Sequence, residues 1–496
     1  MNSSSQSGSP SGMEKSLLIG LLMDVLPQEY ILSSREELKP FECDGLSAYR
    51  ETPLLVVLPD NIEQIRAILK ICSQHNIPVV TRGAGTSLSG GALPRKDGIL
   101  LSLAKLNNIL HIDCDNLTAT VQPGVRNLAI SEAVSQYNLY YAPDPSSQIA
   151  CSIGGNVAEN AGGVHCLKYG LTIHNVLKIT LLTIEGELIE IGSEALDSSG
   201  YDLLALLNGS EGMLGVVVEI VVKLLVKPPA TKVILAAFDE VGKAGHAVSQ
   251  VISAGIIPAG LEMMDKSAIS AAEDFVHAGY PVDAAAILLC EVDGTAAEVE
   301  EQLSDAQNIL IECGATDIKV ARDETERLKF WQGRKSAFPA VGRISPDYYC
   351  MDGTIPRHRL ADILERIHQL SEHYGLAVVN VFHAGDGNLH PLILYDANIP
   401  GELETTEEFG GKILEACVEF GGAITGEHGV GVEKLDQMCV QFNAAEIAQF
   451  HEIKEAFDPQ RLLNPGKAIP LLQRCAELGA MHVHHGQLPH PELERF

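Results

Sequence analysis

The sequence predicts an α+β fold in two main parts, and three observations support this prediction. Residues 53–229 alternate short Val, Ile and Leu strands with helical stretches. Residues 231–421 combine strands with long helices, which is typical of an antiparallel sheet covered by helices. The chain has 496 residues, which is more than one hydrophobic core normally supports, so several domains are expected.

The elements of the first part follow one another closely. "SLLIGLLMDVL" is predicted to be a first helix, and "LLVVLPD" a strand. The amphipathic helix "NIEQIRAILKICSQHN" comes next, with Asp60 and Asn61 as its N-terminal cap. Further strands are predicted at "IPVVTRG", "GILLSL", "TATVQPG" and "GVVVEIVVKLLV", and "KPPATK" is interpreted as a linker.

The second part is predicted to hold the strands "KVILAAFD", "GLEMMD" and "AAILLCEVDG", together with a long helix over residues 296–313. A hairpin follows, in which "LAVVNVF" and "LHPLILY" flank "HAGDGN". The final helix, within "AAEIAQFHEIKEAFDPQRLLNPGK", is expected to return to the first part. The closing "MHVHHGQLPHPELERF" is interpreted as a terminal tail.

The composition argues against several classes of protein. The net charge of −30, from 35 basic and 65 acidic residues, argues against nonspecific binding to nucleic acid. The apolar run "GVVVEIVVKLLV" is interrupted by Glu219 and Lys223, so no transmembrane segment is predicted. The eleven cysteines include no CxxC spacing, and the chain lacks the pattern expected for its own iron–sulfur cluster. We therefore expect a cytoplasmic protein, with peripheral contact to the inner face of a membrane left open.

Three glycine-rich loops in the first part predict a large cofactor. "TRGAGTSLSGG" follows a strand, but a Rossmann fingerprint would need glycine where Leu88 stands. The loop instead offers free backbone N–H groups and hydroxyls, a nest able to hold a pyrophosphate, with Arg82 adding charge. "IGGNVAENAGG" and "NGSEGMLG" repeat this composition. Each loop alone is a weak signal, whereas three together indicate an extended ligand with several contact points.

Two histidines of the hairpin and one later pair of residues suggest a metal site. If Asp386-Gly387 is a two-residue turn, His383 lies directly opposite His390 on one face of the hairpin. In "GGAITGEHGVGVEK" a Glu-His pair lies between glycines, and its carboxylate could complete a three-ligand site for a divalent metal. The histidine of that pair could then act as a base. Singly, each histidine is more often a core residue; the combination favours the site.

These motifs, in order, resemble the FAD-linked oxidases of the vanillyl-alcohol-oxidase type. The resemblance rests on "PVVTRGAGTSLSGG", "PDPSSQIACSIGGNVAENAGG", "GSEGMLGVV", "HAGDGNLHP", "TGEHGVGVEK" and "LLNPGK", and it covers about residues 40–467. "PDYYCMDGTIPR" points to the branch that contains the flavin subunit of bacterial glycolate oxidase and the D-lactate dehydrogenases.

The resemblance implies an FAD-binding domain in two pieces with an inserted antiparallel-sheet cap domain. The corresponding divisions are 1–50 (tail and first helices), 51–229 (FAD-binding), 230–425 (substrate or cap), 426–470 (return to the flavin domain) and 471–496 (tail). It implies FAD, expected to be bound non-covalently, at Arg82, Gly83, Ala84, Gly85, Thr86, Ser87, Gly90, Pro143, Asp144, Gly154, Gly155, Asn156, Asn160, Gly162, Gly163, Glu211, Gly212, Val217 and Asn464.

The resemblance also implies the chemistry. A divalent metal, Zn or Mn, would be held by His383, His390 and Glu427, with His428 as the catalytic base and Arg334 gripping the substrate carboxylate. Relatives that act on D-2-hydroxyglutarate carry a lysine where this chain has Cys350, and a polar residue where it has Leu392. A small acid such as D-lactate or glycolate therefore fits better than a long diacid.

The predicted function is oxidation of a small D-2-hydroxy acid to the 2-oxo acid by hydride transfer to flavin, with metal assistance. The expected electron acceptor is a quinone, a carrier or an iron–sulfur subunit, and a homodimer is one option for the assembly. Two alternatives stay open. One is a metallohydrolase that uses the His383, His390 and Glu427 site, and the other is a non-redox flavin enzyme of the same fold, such as an ether-lipid synthase.

Overall fold

The structure is a computed structural model that describes residues 15–195 and 200–471. The tail "MHVHHGQLPHPELERF" lies outside the described residues. The strands of the first part are β1 (Ile31–Leu32), β2 (Leu55–Val57), β3 (Val79–Arg82), β4 (Ile99–Ser102), β5 (Ile109–Asp113), β6 (Thr118–Val121), β7 (Leu139–Tyr140), β8 (Val176–Leu182), β9 (Leu188–Gly192), β10 (Val216–Lys223) and β11 (Leu225–Val226). Its helices are α1 (Lys15–Met23), α2 (Arg35–Leu38), α3 (Ile62–His75), α4 (Asn127–Val134), α5 (Ile153–Glu159), α6 (Cys166–Tyr169), α7 (Thr172–Asn175) and α8 (Leu203–Leu207).

The second part and the C-terminal segment contain the remaining elements. The strands are β12 (Ala230–Phe238), β13 (Gly260–Asp265), β14 (Ala286–Gly294), β15 (Asp317–Val320), β16 (Asp347–Cys350), β17 (Gly353–Thr354), β18 (Val378–His383) and β19 (Asn388–Tyr395). The helices are α9 (Val241–Ser253), α10 (Lys266–Val276), α11 (Ala296–Glu312), α12 (Glu324–Lys335), α13 (Ala337–Val341), α14 (Leu360–Tyr374), α15 (Glu402–Glu419), α16 (Leu435–Gln441) and α17 (Ala444–Phe457).

The first part contains two main sheets. The first has the order β1-β2-β4-β3, in which β2, β4 and β3 are parallel, and the second is an antiparallel sheet of order β5-β6-β10-β8-β9. The C-terminal segment joins the first sheet. The backbone of Val79 donates to the carbonyl of Leu462 (2.8 Å) and accepts from the N–H of Asn464 (2.8 Å), so this segment runs beside β3.

The second part is built on one antiparallel sheet of order β15-β12-β14-β13-β18-β19-β16, with β17 paired to β19. Side chains alternate along β12, where Ile234, Ala236 and Phe238 face one apolar cluster. The residues between them face the cluster on the other side of the sheet. Both faces are therefore covered, which explains why this strand and β14 are almost continuously apolar. The predicted α+β class is confirmed.

Local signals in the sequence define several helix ends. Helix α3 begins after Asn61, whose side chain accepts from the N–H of Gln64 (2.9 Å), and ends at Asn76 in the left-handed conformation (φ +53°). Helix α11 begins at a capping box formed by Thr295 and Glu298. Among the described helices, none combines the length and apolar character needed to cross a bilayer.

Candidate active site

The hairpin of β18 and β19 carries the two predicted histidines on one face. The predicted direct opposition of His383 and His390 is wrong, because His383 lies opposite Asn388 and His390 lies opposite Val381. The register differs from the expected one by two residues, and an even shift leaves every side chain on its original face. The two imidazole rings therefore still meet, with centroids 5.0 Å apart and planes at 89°.

The shift in register comes from the turn, which uses four residues (384–387) rather than two. The N–H of Gly387 donates to the carbonyl of His383 at 3.1 Å, and the carboxylate of Asp386 accepts from the backbone N–H two residues later at 3.1 Å. Gly387 has φ +85°, and a Cβ there would lie 2.2 Å from the carbonyl oxygen of Ile355. Glycine is therefore required at this turn for both its conformation and its close packing.

Glu427 connects the two histidines. Its Oε1 lies 3.2 Å from Nε2 of His383 and 2.9 Å from Nε2 of His390. The other ring nitrogen of His383, Nδ1, is 2.9 Å from Oε1 of Glu262. This carboxylate fixes the orientation of the imidazole and leaves Nε2 directed at Glu427, an arrangement that commonly supports metal-ligating histidines.

The donor set of His383, His390 and Glu427 fits a divalent cation. Their ligand atoms lie within 4.8 Å of one another, and both histidines are buried. Burial alone would raise the pKa of Glu427, but hydrogen bonds with His383 and His390 hold that pKa well below its ordinary value. The carboxylate is thus ionised and directed at two imidazole nitrogens, which is the chemistry of a three-ligand site with an open position.

His428 follows Glu427 in the same loop, and its ring faces the other side of His390. The rings of His428 and His390 are stacked, with centroids 5.0 Å apart and planes at 16°. Burial is the largest cause that lowers the pKa of His428, to about 4, and it outweighs the negative charge of Asp352, which acts in the opposite direction. His428 is therefore neutral near pH 7 and has a ring nitrogen able to accept a proton.

Asp352 holds the loop that carries both residues. Its carboxylate accepts from Thr425 Oγ1 (2.6 Å) and from the backbone N–H groups of residues 426, 427 and 428 (3.0, 3.1 and 3.0 Å). The ammonium group of Lys434 lies 3.1 Å away, and both side chains of this ion pair are completely buried. Burial would raise the pKa of Asp352, but Lys434 outweighs it and lowers the pKa below its usual range.

Arg334 lies behind this site. Its guanidinium Nη2 is 2.7 Å from Oε2 of Glu262, and both side chains are about 1% exposed. The cavity is lined instead by the next residue, Lys335, together with Phe338 and Pro339. The predicted grip of Arg334 on a substrate carboxylate stays a prediction, and the contact that the structure gives it is with the carboxylate that orients His383.

A cavity of about 420 Å³ extends from this site into the first part of the chain. Its walls come from the three glycine-rich loops, from residues 145–147 and from the Glu427-His428 loop. The predicted cofactor residues that line it are Gly83, Ala84, Gly85, Thr86, Ser87, Gly154, Gly155, Asn156, Glu211, Gly212 and Val217. His390, Glu427 and His428 line the same cavity.

The other predicted cofactor residues do not line this cavity. They are Arg82, Gly90, Pro143, Asp144, Asn160, Gly162, Gly163 and Asn464, which are not among the cavity-lining residues. Arg82 donates to the carbonyl of Cys43 (2.6 Å). Asn464 donates to the carbonyls of Gly91 (3.0 Å) and Glu211 (2.7 Å), and so joins two loops of the cavity wall.

Two glycines of the loops are required by close packing within the cavity wall. A Cβ on Gly83 would lie 2.2 Å from Ser152 Oγ, and one on Gly154 would lie 2.6 Å from the side chain of Pro123. Thr81 Oγ1 and Glu159 Oε2 are buried at the cavity and have no hydrogen-bond partner among the described residues. Glycine backbone and the Thr81 hydroxyl suit a phosphate group, whereas the Glu159 carboxylate suits a hydroxyl or N–H group of the same cofactor.

Sequence reasoning missed residues whose partners are distant in the chain. Two of them are buried acids, Glu262 on β13 and Asp352 after β16, and a third acid, Glu159 at the end of α5, is partly buried and lines the cavity. Glu262 was detectable as a charged residue within the apolar strand "GLEMMD". Asp352 and Glu159 carry no comparable local signal.

A second polar cluster joins the two parts of the chain. The ring of His165 lies between two carboxylates, with Nδ1 2.9 Å from Asp144 Oδ2 and Nε2 3.2 Å from Glu291 Oε1. Arg327 also pairs with Glu291 (2.7 Å). Burial would lower the pKa of His165, but Asp144 and Glu291 outweigh it and raise the pKa to about 10.

This cluster predicts a loss of stability at alkaline pH. His165 is protonated in the folded chain up to about pH 10, whereas an unfolded histidine has a pKa of about 6.5. Its contribution is complete below the unfolded pKa and is lost as pH rises through the folded one, at up to about 1.4 kcal/mol per pH unit. Urea unfolding of the holoenzyme between pH 7 and pH 10 should show this slope, and H165Q should show a shallower one. Equal pH dependence of the unfolding free energy in the wild type and in H165Q would contradict this role of His165.

Comparison with known proteins agrees with the architecture. Residues 53–192 match the family described as FAD binding domain, and residues 227–468 match FAD linked oxidases, C-terminal domain. The solved structure of p-cresol methylhydroxylase with substrate bound superposes with a TM-score of 0.78 at 16% identity, covering 92% of this chain and 97% of that one. That likeness supports the predicted vanillyl-alcohol-oxidase type of fold.

Curated relatives are similar over nearly the whole chain. Glycolate oxidase subunit GlcD of Escherichia coli (strain K12) is 65% identical over 98% of this chain and 97% of the relative. D-lactate dehydrogenase of Anaerostipes hadrus is 31% identical over 91% of this chain and 96% of the relative. Together with the glycine-rich cavity and the matching domains, these similarities show that the chain belongs to the FAD-linked oxidases.

Proposed function

We propose that the protein oxidises a small 2-hydroxy acid, glycolate or D-lactate, to the corresponding 2-oxo acid with FAD. The observation that carries this proposal is the meeting, in one cavity, of the glycine-rich cofactor loops with His390, Glu427 and His428. The names of the relatives, glycolate oxidase subunit and D-lactate dehydrogenase, favour the same substrates.

The proposed residues have separate roles. When bound, FAD supplies the two-electron oxidant for the C2–H bond. A divalent cation, Zn²⁺ or Mn²⁺, would be held by His383, His390 and Glu427 and would supply Lewis acidity at the substrate oxygens. His428 takes the hydroxyl proton on a ring nitrogen, for which its neutral state suits it. Two electrons then leave to an external acceptor: a quinone, a carrier or an iron–sulfur subunit.

The surroundings of the site support a small anionic substrate. Cys350 and Leu392, neighbours on β16 and β19, are at most 5% exposed and belong to an apolar cluster. They offer no charge for a second carboxylate. Lys335 lines the cavity and supplies positive charge near its wall, which favours entry of an acid.

The first test is a visible spectrum of the purified protein before and after anaerobic addition of glycolate or D-lactate. We expect a flavin spectrum that bleaches with one or both acids, because the substrate reduces the cofactor without an acceptor. A flavin that stays oxidised with both acids would contradict the proposed substrates and favour a non-redox flavin enzyme. Folded protein that cannot take up added FAD would favour the metallohydrolase.

A further inference from the structure

A second set of possible metal ligands shares His390 with the first. One ligand atom each from Cys350, His390 and His428 lies within 4.8 Å of the others. Cys350 closes β16 opposite Leu392, and Leu392 lies two residues after His390 on β19. Because side chains alternate along a strand, the thiol and the imidazole lie on the same face of the sheet. The thiol and the rings of His390 and His428 therefore come together next to the first ligand set.

The imidazoles of this set have unused nitrogens. His390 directs Nε2 at Glu427, and its Nδ1 has no hydrogen-bond partner among the described residues, although the side chain is only 2% exposed. Nδ1 of His428 likewise lacks a partner there. The Cys350 thiol has only a weak contact, with the carbonyl oxygen of Met351 at 3.5 Å. Buried polar groups normally have hydrogen-bond partners. Two ring nitrogens without partners and one weakly bonded thiol, all close together, therefore indicate a ligand.

The donor chemistry of the second set differs from that of the first. A carboxylate with two imidazoles accepts Mn²⁺ or Zn²⁺, whereas a thiolate with two imidazoles selects softer ions such as Zn²⁺ or Cd²⁺. Binding of such an ion displaces the thiol proton of Cys350 to the solvent, and where His390 already holds a cation through Nε2 the proton on its Nδ1 must leave to the solvent as well. Burial is the largest cause that raises the pKa of the Cys350 thiol, and the negative charges of Asp352 and Glu427 raise it further. The same negative charges favour a cation over a free thiolate.

We propose that Cys350, His390 and His428 form an inhibitory site for thiophilic divalent cations, overlapping the catalytic site. An ion bound there occupies a nitrogen of His428 and removes the base from the reaction. Excess zinc or cadmium would then stop turnover while the cofactor remains bound. The ion site itself goes beyond the proposed function and depends on the geometry of the three side chains, whereas its inhibitory effect rests on the proposed function, in which His428 is the base.

The test is a Cd²⁺ titration of the holoenzyme without substrate, followed by the ultraviolet absorption of the cadmium–thiolate bond. We expect the wild type to show one more such thiolate than C350S or C350A at saturation. C417S is the matched control, because Cys417 is also a buried free thiol but lies outside the set, and it should keep the full signal. Equal signals in the wild type and in both Cys350 variants would overturn the proposal. Two Cys350 variants are used so that the test still works if one of them does not fold.

A second measurement tests the inhibition. The Cd²⁺ concentration that halves flavin reduction, measured relative to each variant's own uninhibited rate, should rise at least about tenfold in C350S and not in C417S. Unchanged sensitivity in C350S would overturn the inhibitory role. The absorption readout needs no turnover, so failure of the proposed substrates would leave it intact.

Discussion

Replacing Asp352 with asparagine is expected to lower the free energy of unfolding by about 3–5 kcal/mol, because the buried ammonium of Lys434 loses its counterion. The amide also accepts fewer of the hydrogen bonds that come from the loop of residues 425–428. Urea unfolding of the holoenzyme measures the first effect, and the rate of anaerobic flavin reduction measures the second.

Two further variants separate these effects. D352N combined with K434M removes the stranded ammonium, so part of the stability should return, while flavin reduction stays slow because the loop still lacks its carboxylate. D265N is the matched control: Asp265 accepts from Ala268 N–H (2.8 Å) and from Asn380 (2.9 Å), and it pairs with no ammonium or guanidinium group within residues 15–195 and 200–471. It should lose clearly less stability. A D352N enzyme with wild-type stability and rate would contradict the anchoring role.

His428 is expected to dominate the rate of the reaction. H428Q removes the proton acceptor, so the rate of flavin reduction should fall by about 10²–10⁴-fold, the usual contribution of a general base. FAD and metal content should stay near wild type, because the side chain of His428 is not part of the His383, His390 and Glu427 set. Anaerobic stopped-flow measurement of flavin bleaching gives the rate.

The matched control for H428Q is H368Q. His368 lies on α14 with its side chain 67% exposed, and its loss should leave the rate unchanged. If H428Q reduces flavin within a few-fold of the wild-type rate, His428 is not the base. In that case its neutral imidazole would have a positioning role beside His390.

Local patterns in the sequence predicted the hairpin and the position of its two histidines on one face. Alternation of apolar residues identified the hairpin, and an even register shift preserved the prediction that His383 and His390 share a face. The turn length was not predicted; in the structure the turn packs against Ile355, whose N–H donates to the carbonyl of Gly387 (3.0 Å) and which is distant in the sequence. The Asp-Gly dipeptide, taken alone, favours a two-residue turn.

The residues that support the site depend on contacts between distant segments. The family resemblance predicted that Arg334 grips the substrate carboxylate. In the structure its guanidinium pairs with Glu262, which is 72 positions away in the chain. Asp352 and the amides it holds are separated by more than 70 residues. Periodicity and turn chemistry describe neighbours in the chain, so these pairings required the fold.

The position of the C-terminal segment has a consequence for folding during synthesis. Residues 462–464 complete the edge beside β3, and Lys454 reaches the carbonyls of Met213 (2.6 Å) and Leu463 (2.7 Å). The first sheet therefore remains unfinished while the ribosome translates the whole second part, since domains otherwise fold as their residues emerge. Glu427 and His428, which line the cofactor cavity, also emerge late, so we expect the chain to take up flavin only once its synthesis is nearly complete.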